Sequence, residues 1–188
     1  MTTNKGSLVL YPDEMLNKIC EPVGELTEEV QEFASNLIVT MYQFGALGIA
    51  APQMGKPIRM LAINALEPIS PENKNGDKRK AILFVNPEIT ETSGVKVKSQ
   101  EACLSIPGIM VNLSCRYNNI IVHATDEYGK GFTTQLNGQD AVAFQHEMNH
   151  LDGVTLLDIV GKVQKKLVLK QYKRSMTKWV TSRVMPQV

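Results

Sequence analysis

The sequence predicts an α+β fold, with mixed, largely antiparallel sheets packed around a helix that carries His146-Glu147-Met148-Asn149-His150, and a further helix at the C-terminal end. Three observations predict it. Apolar residues recur at helical spacing in three separated stretches, short β-prone runs lie between the first two, and Asp126-Glu127-Tyr128-Gly129 is a turn signal joining neighbouring runs. With 188 residues and 43% hydrophobic composition the chain has the material for one domain with a sizeable core. A single unit over residues 1–188 is expected, its last part (about 160–184) a cationic helix.

Leu8 to Pro12 reads as a short ordered lead-in. Thr27 then offers a helix N-cap and Glu28 and Glu29 two first-turn carboxylates, after which Val30, Phe33, Leu37, Ile38, Met41 and Phe44 trace an apolar stripe. That helix is expected to end near Gly45. Gly45 to Gly55 is a small-residue loop holding Gly48-Ile49-Ala50-Ala51-Pro52-Gln53, and Ile58 to Asn64 follows as a strand. Pro68 to Lys80 has the composition of an exposed insertion with little to bury. Ile82–Val85, Val95–Lys98, Ile120–Ala124 and Phe132–Leu136 read as strands, Ala141–Leu151 as the second helix and Val160 to about Val180 as the third. The stripe of that last helix is Val160, Val163, Leu167, Met176 and Val180.

The net charge of +1 carries no global signal for nucleic acid, membrane or acidic partners, so none is expected to bind specific DNA or a bilayer. No apolar run approaches the roughly 20 residues that cross a membrane. Met1 to Ser7 lacks the charged-then-apolar layout of a secretion signal, and the expectation is a cytoplasmic or equivalent organellar compartment. Cys20, Cys103 and Cys115 cannot all pair within one chain, so at least one thiol is free. Charge is uneven only at the end: Lys162, Lys165, Lys166, Lys170, Lys173, Arg174, Lys178 and Arg183 follow Ile159 with no acidic residue among them. A solvated helix face is the plain reading, and docking on ribosomal RNA the sharper one.

His146 and His150 are one helical turn apart, so both imidazoles leave the same face and can share one metal ion. Glu147 points about 100° round the helix, a position from which a carboxylate acts on water beside the ion. The remaining histidine, His123, alternates with apolar residues in a strand and reads as structural. A catalytic metal of this kind needs a third protein ligand and an open position. Gly153 sits where a metzincin has its glycine, but Leu156 stands where the third histidine would be, and no glutamate follows Glu147. Asp152, Asp158 and the upstream Cys103 remain as alternatives. A lone intracellular cysteine is commonly just a small buried hydrophobe.

Three segments taken together resemble the peptide deformylases, whose pattern joins a G-x-G-x-A-A-x-Q loop, an E-G-C-L-S turn and a Q-H-E-x-D-H helix. Here they are Ala46-Leu47-Gly48-Ile49-Ala50-Ala51-Pro52-Gln53, Glu101-Ala102-Cys103-Leu104-Ser105 and Gln145-His146-Glu147-Met148-Asn149-His150, in that order and covering nearly the whole chain. The resemblance implies release of formate from the N-formylmethionine of newly made polypeptides. It implies Cys103, His146 and His150 as ligands of one divalent ion, Fe²⁺ in cells, with Zn²⁺, Ni²⁺ or Co²⁺ acceptable in purified protein. It implies Glu147 as the proton carrier, and the Gln53 amide and Leu104 backbone N–H as donors to the oxyanion. Gly48 allows close approach of substrate backbone, while Ile49 and Val142 are expected to line a methionine pocket. Ala46 and Ala102 replace family glycines and Asn149 replaces an aspartate. An alanine costs on the order of 1 kcal/mol where φ must be positive, and Asn149 orients any partner less strongly than a charge would. A small metallopeptidase, and a deformylase-like protein that binds N-termini without turnover, are the competing expectations.

Overall fold

The computed structural model describes residues 7–67, 73–75 and 77–182, with side chains to residue 177. Thr27 Oγ1 accepts from the Val30 N–H and starts α1 (Glu28–Gln43), as the cap predicted. Phe33, Leu37 and Met41 form its buried stripe and pack on one face of a sheet.

That sheet has five strands in the order β1 (Gly48–Ala50), β2 (Met60–Leu66), β3 (Arg79–Thr92), β6 (Asn119–Thr125) and β7 (Gly131–Asn137), every neighbouring pair antiparallel. The second helix, α2 (Gly138–Leu151), covers the opposite face. β2 explains why its sequence is apolar throughout. Met60 and Ala62 face α1, whereas Leu61, Ile63 and Ala65 face α2, so both sides of the strand are buried. Phe144 of α2 meets Phe84 of β3 edge-on at 5.0 Å between ring centroids. Asp140, in the first turn of α2, accepts from the Leu66 N–H and pairs with Arg79, pinning the start of the helix to the β2–β3 pair.

A separate two-stranded antiparallel sheet joins β4 (Lys96–Ala102) and β5 (Met110–Tyr117). Beneath it lie α3 (Leu156–Ile159) and α4 (Lys162–Ser182), which share a third core cluster with Cys103, Ile106, Val111 and Leu113. The lead-in at Leu8–Tyr11 runs between the parts: Val9 N–H donates to Gln53 O, Tyr11 N–H to Ser105 O, and Tyr172 of α4 donates its hydroxyl to Tyr11 O.

Several expectations change in detail. The small-residue loop after α1 contains β1 and a 3-10 turn (Ala51–Met54). β3 is 14 residues long, well beyond Ile82–Val85, and β5 is an additional strand. Of the expected insertion, 68–72 and 76 lie outside the described residues. Asn73 is buried, its amide bonded to Glu67 O and the Lys78 N–H, so the connection closes on a polar clasp. α4 buries Val168 and Tyr172 and leaves Val163 and Leu167 76% and 64% exposed, so the expected stripe is rotated. The side chains of Val180 and Lys178, and all of Arg183, lie outside the described residues. No described helix is long and apolar enough to cross a membrane.

Candidate metal centre

α2 delivers His146, Glu147 and His150 from one helix, and the turn after β4 delivers Cys103. All four side chains are buried. The ligand atoms of Cys103, His146 and His150 lie within 4.8 Å of one another. Cys103 Sγ is 3.2 Å from His150 Nε2, and the two imidazole rings are 5.2 Å apart. His146 turns Nδ1 to Glu101 Oε2 at 3.0 Å, which leaves Nε2 for the shared space.

Electrostatics fit the same use. Burial pushes the Cys103 thiol up, but the His150 and His146 imidazoles outweigh it and hold the thiol well below its ordinary value. That direction favours the thiolate, the form that binds metals. Burial lowers His146, yet hydrogen bonds to Cys103 and Glu101 and the negative charges of Cys103 and Glu147 bring it up to about 10. Burial also raises Glu101, but bonds from His146 and Arg116 win and take it down to about 2. Glu147 is pushed up to about 6 by burial, with His146 and His150 opposing. Its Oε2 and His150 Nδ1 are buried without a hydrogen-bond partner among the described residues. One sulfur and two nitrogens in a negative, dry cluster suit a divalent transition metal.

A cavity of about 350 Å³ opens over this cluster, and Gly48, Gln53, Cys103, Leu104, Val142, His146 and Glu147 all line it. Gln53 is 1% exposed. Its Oε1 accepts from the Ala50 N–H at 2.9 Å, so its Nε2 is directed to Ser105 Oγ at 3.2 Å and toward Cys103 Sγ at 3.7 Å. Gly48 abuts the carboxylate, since a Cβ built there would sit 2.8 Å from Glu147 Oε1. Ile49 is placed elsewhere: its side chain is fully buried in the core beneath α1, because alternate residues of β1 face opposite ways. The expected methionine-pocket role for the Ile49 side chain is therefore corrected to core packing. Ala46 and Ala102 line the cavity, and neither has positive φ; Asn86 is the one described non-glycine that does. No backbone strain attends these two replacements.

The alternative ligands are engaged elsewhere. Asp152 pairs with Arg59, and Asp158 caps α3 through Thr155 while meeting Lys165. Gly153, with φ +70°, ends α2 and lies so near Asn17 that a Cβ would come within 2.6 Å of the Asn17 carbonyl oxygen. His123 is exposed on β6 with Nδ1 facing Thr133 Oγ1.

Sequence reading missed two contributors. Glu101 was quoted within a motif without a role, and Arg116, which grips it, lies on the unrecognised β5. The alternation of buried Val111 and Leu113 with exposed Asn112 and Ser114 was the available signal for that strand.

An α+β scaffold that turns one cysteine, two histidines and a glutamate toward one cavity has the side chains of a metallohydrolase site. Comparison with known proteins narrows it. The sequence matches the polypeptide deformylase family over residues 6–166. It is 37% identical over 163 residues to the peptide deformylase of Thermodesulfovibrio yellowstonii, covering 87% of this chain and 93% of that protein. With the enzyme of Hydrogenovibrio crunogenus it shares 34% over 179 residues, 95% and 99% of the two chains. The crystal structure of a peptide deformylase from Legionella pneumophila superposes with a TM-score of 0.80 at 30% identity, covering 94% of this chain and 97% of that one. The chain belongs to the polypeptide deformylase family, whose known function is removal of the formyl group from N-formylmethionyl peptides.

Proposed function

We infer that Cys103, His146 and His150 hold one divalent ion and that Glu147 carries the proton as the chain deformylates N-formylmethionyl peptides. The observation that carries this is the buried sulfur and two imidazoles within 4.8 Å of one another, directly beside a carboxylate. An ion bound there would acidify a water ligand to a pKa of about 7 and polarise the formyl carbonyl. Fe²⁺ is the proposed ion in cells, with Zn²⁺, Ni²⁺ or Co²⁺ able to take its place in purified protein.

The remaining steps belong to the chain. Glu147, held up near 6 by burial, accepts one proton from the attacking water on its carboxylate. The water oxygen adds to the formyl carbon as the carbonyl π pair moves onto its oxygen; when that pair returns, the carbon–nitrogen bond breaks, and the second water proton is lost as formic acid ionises. Glu147 returns its proton to the departing amine, giving formate and a free N-terminus. Gln53, its Oε1 already occupied by Ala50, directs Nε2 at the developing oxyanion together with the Leu104 backbone N–H. Gly48 admits the substrate backbone, and Val142 borders the methionine side chain from within the same cavity.

The whole of 1–188 serves as one catalytic unit organised on α2. The exposed face of α4 carries Lys166, Lys170, Lys173 and Arg174, and its proposed partner is ribosomal RNA in a cytoplasmic or equivalent compartment. Formate release from formyl-Met-Ala-Ser tests the main reading. Metal-loaded wild type should turn over, Cys103→Ala should lose metal and activity together, and Glu147→Ala should keep metal but lose turnover. Peptide-bond cleavage by a Cys103→Ala protein that still holds metal would favour a metallopeptidase instead.

A further inference from the structure

Behind the metal cluster lies a charged side chain that never reaches the cavity. Arg116 is 4% exposed and is not among the cavity-lining residues. Its place follows from β5, which carries one extra residue where Arg116 and Leu113 pair with Val97 and Ser99. Such a bulge re-aims the side chain beyond it, and here it turns Arg116 inward, toward α2.

Every arm of the guanidinium is used. Nε donates to Glu101 Oε1 at 2.9 Å and Nη2 to Glu101 Oε2 at 2.8 Å, a two-pronged ion pair. Nη1 donates to the Gln145 backbone carbonyl at 3.3 Å and to Asn149 Oδ1. Each oxygen of Glu101 then takes a second donor: Ser99 Oγ at 2.7 Å on Oε1, and His146 Nδ1 at 3.0 Å on Oε2. The carboxylate is held in plane and in rotation by four contacts.

We propose that Arg116 is a positioning residue for the metal centre, acting through Glu101 to fix the His146 tautomer and ring angle that leave Nε2 free for the ion. This rests on the reading of His146 as a ligand. A buried carboxylate is stable as an anion only when paired, and the pair here comes from Arg116. An anionic Glu101 can accept only, so His146 must place its proton on Nδ1. Asn149 completes the arrangement. Its neutral amide oxygen takes an Nη1 proton without offering a second charge, so among the described residues Glu101 is the only carboxylate paired with Arg116.

The test uses Zn²⁺-loaded full-length protein with two readouts, the Zn²⁺ dissociation constant by chelator competition and the ¹⁵N-histidine spectrum. In wild type His146 should show a slowly exchanging Nδ1 proton. Arg116→Gln and Glu101→Gln should each weaken Zn²⁺ binding by about 10–100-fold, the usual effect of removing an outer partner of a metal-bound histidine, and should lose that proton signal. The double variant should be no worse than the poorer single one, because both changes break one chain of contacts. If Arg116→Gln does not fold, Arg116→Lys, which keeps charge but gives up the two-pronged grip, takes the same measurements. A lowered Tm with Zn²⁺ affinity within threefold of wild type and an unchanged Nδ1 signal would overturn the proposal. So would losses that multiply in the double variant. His146→Ala separates the two levels: retained Zn²⁺ affinity there overturns the ligand reading itself, whereas lost affinity leaves the Arg116 results to decide the positioning role.

Discussion

Gly48→Ala is the smallest change that reaches the chemistry without replacing a charged group. Gly48 has no positive φ, so its backbone accepts alanine, but the new methyl carbon would lie 2.8 Å from Glu147 Cγ, 2.8 Å from Glu147 Oε1 and 2.8 Å from Ile63 Cδ1. Relaxing those contacts toward the usual 3.5–4.0 Å requires the carboxylate to retreat by about 0.7–1.2 Å. A reacting group misplaced by about 1 Å loses on the order of 10²-fold in rate, equivalent to about 2.7 kcal/mol of barrier. Overpacking costs about 1–3 kcal/mol in stability, of which about 0.4–1 is offset by the reduced freedom of alanine in the unfolded chain. The net of about 0–2.6 kcal/mol corresponds, for a domain of this size, to a fall in Tm of up to about 10 °C. A formate dehydrogenase-coupled assay should therefore record a kcat about 100-fold lower, with metal content unchanged. A folded, metal-loaded variant whose kcat stays within threefold of wild type would refute the claim that this glycine sets the position of Glu147.

Other perturbations separate scaffold from site. Gly153→Ala combines a strained left-handed backbone with a methyl pressed on the Asn17 carbonyl, and should cost about 2–4 kcal/mol in denaturant unfolding while the folded fraction keeps its metal. Burial raises Asp158, but bonds from the Thr155 hydroxyl and N–H and from Lys165 leave its pKa lowered. Its folded value thus lies below the unfolded value of about 3.9, so its stabilising effect is complete above that pH and is lost as pH falls through the folded value. Asp158→Asn should flatten that part of the stability profile, and an unchanged acid limb would count against the assignment. With iron bound, the ferrous ion and the cysteine sulfur are both oxidisable, so air should abolish activity, and thiol reduction followed by anaerobic reloading with Ni²⁺ should restore it where the sulfur has not passed the sulfenic stage; full activity after long aerobic storage would argue for another metal.

What was legible in the sequence follows the physics of each signal. The cap at Thr27 and the stripe after it produced α1 as expected, because capping and helical periodicity are local. The i, i+4 spacing of His146 and His150 placed two imidazoles on one face for the same reason. Cys103 needed the family resemblance, since the turn that brings it 3.2 Å from His150, 47 residues further along the chain, is set by pairing between β4 and β5. Arg116 was invisible because its inward direction depends on a bulge, which shifts the alternation a strand would otherwise show. Ile49 was misassigned to the pocket because adjacency to Gly48 in sequence means opposite faces in a strand, and a loop had been expected there. Val163 and Leu167 read as core, yet the packing of Tyr172 against Tyr11 turns α4 so that Val168 is buried in their place.

The lead-in at Leu8–Tyr11 also fixes an order of events during synthesis. These residues leave the ribosome ahead of everything they bind. Their backbone partners are Gln53 and Ser105, and the hydroxyl that closes over Tyr11 comes from Tyr172, near the far end of the chain. The two segments that carry Gln53 and Cys103 therefore receive their last brace only after α4 has emerged. A chain arrested before residue 172 would have Cys103, His146, Glu147 and His150 in hand, and the backbone bonds of the lead-in, yet would still lack the Tyr172 hydroxyl that closes over Tyr11.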